Sequence, residues 1–221
     1  MPRLCAIVLV SLLALDARIS MAQDLSRYRD YALGSSVTAI VTASAARATD
    51  VKSLHERPAL IQELDWHALY LATRDRVDSV DRVVFNFYND KLYQIVVTYD
   101  RDRMAGLTDA DVVAAVSSTY GTPEVAVRAA GAKKDDPFAP SIMVAQWSDA
   151  ASQLTLTRDV YSRQFQLVLV GKALAEQARL AIKDSVRLDR QDAPGLEREQ
   201  AAEDALKVEK ARLANRAAFR P

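Results

Sequence analysis

The 221-residue sequence holds one cysteine, Cys5, two histidines, His55 and His67, and six scattered glycines. Each shortage removes a class of chemistry. Cys5 lies in the amino-terminal apolar run, so the rest of the chain has no thiol and no disulfide, and its fold must rest on a hydrophobic core. The glycines form neither a G-x-G-x-x-G turn nor a Walker loop, which excludes the familiar phosphate cradles. No G-x-S-x-G elbow accompanies the serines, so nothing local marks a hydrolytic nucleophile. An excess of one charge is missing as well: 29 basic and 29 acidic residues cancel. That balance gives no electrostatic footprint for nucleic acid or anionic lipid.

The first feature present is a leader. Arg3 precedes the 12-residue apolar run Leu4–Leu15, and Ser20-Met21-Ala22 supplies small residues at the −3 and −1 positions of a cleavage site. Residues 1–22 therefore read as a signal peptide cut near Ala22. The run is shorter than the ~20 residues a helix needs to cross a bilayer, so no transmembrane segment is expected after cleavage. A lipoprotein cysteine would end the run, whereas Cys5 stands near its start, so no lipid anchor is expected. Losing Arg3, Asp16 and Arg18 leaves a net charge of −1. Export without disulfides points to a bacterial periplasmic or secreted protein.

Asp81–Asp100 is the clearest structural signal. Val83, Phe85 and Phe87 alternate with Arg82, Val84, Asn86 and Tyr88, and after Asn89-Asp90 the pattern resumes with Tyr93, Ile95 and Val97. Period-two patterning around two turn formers predicts a β-hairpin. Its other face, Val84, Tyr88, Leu92 and Val96, is too apolar for a simple solvated surface. These four are the candidate interaction face, unless the carboxy-terminal helix covers them.

Further elements follow in order. Gln23–Leu33 is a polar entry segment, and a short helix begins after Ser35 or Ser36, either of which can cap it. Lys52–Arg57 reads as a connection to Pro58, Ala59–Trp66 as a strand, and His67–Ser79 as a second connection. The best-specified helix has Thr108 at its N-cap, Asp111 completing a capping box, and Leu107 and Val112 placed for a hydrophobic staple. Gly121 and Pro123 end it. Glu124–Pro140 reads as a long connection with Lys133–Pro137 at its tip, and strands are expected at Ser141–Ser148, Gln153–Arg158 and Gln164–Val170. A helix from Lys172 is expected to break at Asp192-Ala193-Pro194-Gly195. Leu196–Ala218 then forms a solvated tail helix, its apolar stripe short of the three to four heptads a coiled coil requires.

A helix and three strands occur twice in this order. The proposed caps Ser35 and Thr108 are 73 residues apart, Val83 and Phe85 lie 71 before Leu154 and Leu156, and Tyr93, Ile95 and Val97 lie 72 before Phe165, Leu167 and Leu169. The fold class expected is α+β, two helix-plus-three-strand repeats forming a helix-backed antiparallel sheet with a carboxy-terminal helical tail. The boundaries are a first unit at 23–104, a second at 105–171, and helices at 172–221.

Gly106-Leu107-Thr108-x-x-Asp111-Val112 followed by Tyr120-Gly121-x-Pro123 resembles the helix signature of the small outer-membrane lipoproteins of the barrel-assembly machinery and of the secreted β-lactamase inhibitor protein. Asn89-Asp90-Lys91-Leu92 resembles their Asn-Gly-x-Leu hairpin tip. The resemblance implies a non-catalytic binding module of helix and antiparallel sheet, and the absence of an acylated cysteine separates this chain from the tethered members.

Other candidate chemistry is thin. Glu63, Asp65 and His67 alternate toward one strand face but make no usual metal set. Asp75, Asp78 and Asp81, and the pair Asp100 and Asp102, lack the spacing and glycine of a calcium loop. Trp66 and Trp147 fit core packing better than a ligand groove. No catalytic, cofactor or metal residue is therefore assigned. The expected function is binding of an unidentified protein partner, with no nucleic acid. The alternative is a small-ligand-binding or envelope-stress accessory protein.

Overall fold

Alternating β-branched and aromatic residues build one antiparallel sheet at the centre of the fold, as the α+β reading expects. The computed structural model describes residues 24–67, 79–126, 141–218 and 220. The residues expected to form a leader and its cleavage site, Asp75 and Asp78, and the expected tip at Lys133–Pro137 lie outside these residues.

The chain opens with a small hairpin, β1 (Arg27–Tyr28) and β2 (Tyr31–Ala32), followed by α1 (Val37–Ser44). Strands β3 (Val51–His55), β4 (Ile61–His67), β5 (Val80–Tyr88) and β6 (Lys91–Tyr99) come next, then α2 (Asp109–Tyr120). The short β7 (Val125–Ala126) leads to β8 (Ser141–Ser148), β9 (Ser152–Asp159) and β10 (Phe165–Gly171), and α3 (Lys172–Ala218) ends the chain. Among the described residues the main sheet has eight strands in the order β3-β4-β5-β6-β10-β9-β8-β7.

Each half thus contributes a helix and four strands in the same order, and the halves meet where β6 pairs antiparallel with β10. The sequence reading had three strands per half. It missed β3 because an edge strand with an exposed centre shows no apolar alternation, and β7 because two residues carry no period. The N-cap of α1 is Ser36, whose hydroxyl accepts from the Ala39 N–H at 3.2 Å, so the caps are 72 residues apart. Gly34 and Gly106, also 72 apart, turn the chain into the two helices with φ of 82° and 85°, a region that favours glycine. In the β5–β6 turn Asn89 and Asp90 have φ of 44° and 65°. Their side chains reach outward: the Val37 N–H donates to Asp90 Oδ1 at 3.0 Å and the Leu60 N–H to Asn89 Oδ1 at 2.9 Å. The hairpin tip therefore fastens the first turn of α1, supplying the carboxylate which that turn lacks.

The α2 capping box forms as expected. The Thr108 N–H donates to Asp111 Oδ2 at 2.8 Å, and the Asp111 N–H donates to Thr108 Oγ1 at 3.2 Å. The Thr108 hydroxyl, which donates to Asp111 Oδ2 at 2.6 Å, and after it the Thr108 N–H hold the Asp111 carboxyl below its usual pKa. Helices α1 and α2 cover one face of the sheet. Ile40, Val112, Val116 and Tyr120 pack there with Leu64, Phe85, Ile95, Leu156 and Leu167, and Leu25 and Tyr28 of the entry segment join the same core. Each large apolar side chain fully buried here contributes about 1.5–3 kcal/mol.

Helix α3 lies on the opposite face. Its Ala178 and Ala181 pack with Ile61 and Tyr93, and Leu174 and Ile182 flank them. The break expected at Pro194 does not occur: α3 runs unbroken from Lys172 to Ala218. Helix-forming residues on both sides offset the ~3 kcal/mol a central proline costs. The segment is also held by pairs from Arg57 to Asp192 and, at 3.8 Å, to Asp189, while Arg198 Nε donates to the Pro194 carbonyl at 2.9 Å.

Candidate interaction face

With two helices on one face and α3 across part of the other, the question is which strand residues remain open. Register answers it. Direct cross-strand partners place Asp65, Val84, Val96, Val168, Thr155 and Gln146 in one row across six strands from β4 to β8. All six are half-buried. Neighbouring strand residues on the opposite face, such as Phe85, Ile95, Val97, Leu167 and Leu169, are in the core, as a side-chain period of two requires. Val84, Val96 and Val168 belong to neither apolar core cluster.

Amide and hydroxyl side chains flank the valines. On one side Asn86 Nδ2 donates to Gln94 Oε1 at 3.2 Å, and on the other Gln166 Nε2 donates to Thr98 Oγ1 at 3.4 Å. Asp65 accepts from Arg82 Nε and Nη2, both at 2.6 Å, and this guanidinium holds the Asp65 carboxyl below its usual pKa. The depressed pKa means the pair contributes fully above the ordinary carboxylate range and fades as pH falls through the lowered value. His67 Nε2 lies 3.4 Å from Asp65 Oδ1. Glu63, Asp65 and His67 do share a face of β4, but Asp65 spends both oxygens on Arg82. The other histidine is used in packing, with His55 Nδ1 2.8 Å from Ser185 Oγ of α3. Asp100 Oδ1 accepts from the Asp102 and Arg103 N–H groups at 2.9 Å each, the use of a turn former.

The four residues singled out from the hairpin separate. Val84 and Val96 face each other on the open side. Tyr88 also lies on that side but packs against the α3 cluster. Leu92 does not lie on this face: it is fully buried in the main core. The reason is a β-bulge. Phe87 pairs with Leu92 whereas Asn86 pairs with Gln94, leaving Tyr93 as the extra residue. One inserted residue inverts the alternation, so Leu92 turns inward and Tyr93, placed in the core by its spacing, turns toward α3. Leu92→Ala is accordingly expected to lower stability by about 2–5 kcal/mol in urea denaturation, and Val96→Ala by about 1 kcal/mol or less.

Sequence reasoning missed Val168 and Thr155. Their strands were recognised, but the β6–β10 pairing that aligns them with Val96 joins residues about 70 apart and leaves no local trace.

The two tryptophans occupy matching positions beneath this face. Trp66 pairs with Val83 and Trp147 with Leu154, and each indole N–H donates to a carbonyl at the carboxy-terminal end of its half's helix, Ser44 at 3.1 Å and Gly121 at 2.7 Å. Beside Trp66 is a recess of about 560 Å³ bordered by Arg47, Asp50, Lys52, Asp65 and His67.

Among known proteins, the family model of the TP0088 domain matches residues 26–177, from the entry hairpin to the first turns of α3. No curated protein and no solved structure matches the chain.

Proposed function

The chain belongs to the TP0088 domain family, and from that premise we propose that it acts by binding another protein through the open face of its sheet, without catalysis, after export to the periplasm or the cell exterior. The observation that carries this reading is the valine row. Val84, Val96 and Val168 run side by side on a face left open by both core helices, and α3 covers only the end near Tyr88 and Tyr93. An apolar strip edged by Thr, Gln and Asn matches the anatomy of a protein interface, whose centre is apolar and whose rim is polar. Five strand spacings make the row about 24 Å wide. The leader motif supports export, and the cysteine-free remainder fits that route.

The test is capture from the exported fraction of the source cells by wild type and by the Val84→Lys/Val96→Glu variant. These two positions are direct cross-strand partners, so the substitution places opposite charges side by side. A partner retained in stoichiometric amount by wild type and lost by the folded variant is the expected result. Equal retention by both would move the binding surface elsewhere.

The recess beside Trp66 favours a second reading, a small polar ligand held among Arg47, Asp50, Lys52 and His67. A ligand bound there raises the melting temperature by mass action, so a thermal-shift screen of cell-envelope metabolites separates the two readings.

A further inference from the structure

The last part of α3 has no role in the fold just described. Every residue from 196 to 218 is exposed, a helical arm about 35 Å long. It lies beyond the segment matched by the family model. Of its four large apolar residues, Leu196 and Val208 point elsewhere, while Leu206 and Leu213 share a stripe with two alanines. At about 100° per residue, Ala202, Leu206, Leu213 and Ala217 fall within about 60° of arc. Leu206 and Leu213 are 71% and 52% exposed.

The charges divide along the arm. Glu197, Glu199, Glu203 and Asp204, against Arg198 alone, give the first part a net charge of −3. Lys207, Lys210, Arg212 and Arg216, against Glu209 alone, give the second part +3, and Arg220 follows just beyond the helix. A helix so divided repels a parallel in-register copy of itself and attracts an antiparallel one. The stripe agrees with that choice. Its order, Ala-Leu-Leu-Ala, reads the same in both directions about a centre between Glu209 and Lys210.

We propose that this arm pairs antiparallel with the arm of a second copy of the chain, joining two sheet domains about a two-fold axis near Glu209 and Lys210. Leu206 and Leu213 of the two copies interleave at the centre. Glu199 and Glu203 lie alongside the basic segment containing Arg216 and Arg220, and the alanines let the backbones approach. The intrachain pairs of Lys207 with Glu203 at 2.8 Å and with Asp204 at 3.6 Å are exposed and weak, so these acids can re-pair at little cost. A closed two-fold contact keeps both open sheet faces accessible and lets two weak binding events act together.

Sedimentation equilibrium of the whole protein tests this. Wild type is expected to show a concentration-dependent dimer. Glu199→Arg/Glu203→Arg and Arg216→Glu/Arg220→Glu are each expected to weaken dimerisation at least ~10-fold, and an equimolar mixture of the two variants to restore it. Orientation is read by cysteine pairing in a Cys5→Ser background. Antiparallel arms form the disulfide several-fold faster in a mixture of Leu206→Cys and Leu213→Cys chains than in either alone, because only that pair comes within bonding distance. A monomer at the highest soluble concentration overturns the proposal. So does a dimer indifferent to the charge reversals, or one in which each single-cysteine chain cross-links to itself fastest. Because the open face is untouched by these variants, failure here leaves the sheet-face reading standing.

Discussion

Trp147→Ala should lower stability by about 3–5 kcal/mol, a large part of the 5–15 kcal/mol typical of a domain. Trp147 is 1% exposed, packs in the main core, and ties β8 to the end of α2 through its bond to the Gly121 carbonyl. Gly121 there has φ 70° and ψ −151°, a conformation essentially restricted to glycine, and its own N–H donates to the Ser117 carbonyl at 2.7 Å. The substitution therefore opens a cavity and also removes the donor that steadies a specialised helix end. Trp66 makes the matching bond to Ser44 but is only half-buried, so Trp66→Ala should cost less, about 1–3 kcal/mol. Urea denaturation followed by circular dichroism compares them without relying on either indole. Equal losses would mean that burial does not set the difference between the halves.

The second large effect appears at alkaline pH. Tyr120 is 7% exposed and donates its hydroxyl to the Arg27 carbonyl at 3.0 Å, joining α2 to the entry hairpin. Burial pushes its pKa up to about 12. Because the folded value lies above the unfolded value of about 10, the neutral phenol's contribution is complete below about pH 10 and lost as pH rises toward 12. Two pH units correspond to about 3 kcal/mol. Wild type should therefore lose about 2 kcal/mol more than Tyr120→Phe between pH 10 and pH 12, the remainder of the difference falling outside that interval. At neutral pH the variant should lack only the net value of one hydrogen bond, about 1 kcal/mol. Parallel pH curves for the two proteins would contradict this account of Tyr120.

Local features were readable in the letters and long-range ones were not. The Asn89-Asp90 turn, the Thr108–Asp111 capping box and the strand runs in β8, β9 and β10 declare themselves within a few residues, and all are present. Tyr28 and Leu25 look like an unstructured entry, because two-residue strands have no period, yet both are core. The bulge at Tyr93 is set by the partner strand rather than by β6 itself, so Leu92 was assigned to the wrong face. Pro194 marked a break that flanking helix propensity and the Arg57 pairs override. For the candidate site, Val84 and Val96 were legible as an over-apolar second face of the hairpin. Their continuation through Val168 and Thr155 required the sheet order.

The account rests on the openness of that face, and the urea midpoint of Val84→Lys/Val96→Glu examines it most directly. If the valines are half-solvated surface, the variant keeps wild-type cooperativity and loses no more than about 2 kcal/mol, the scale of strand propensity at two sites. If it unfolds, or loses the 4 kcal/mol or more expected of charges forced into a core, the valines are interior residues and the binding surface lies elsewhere.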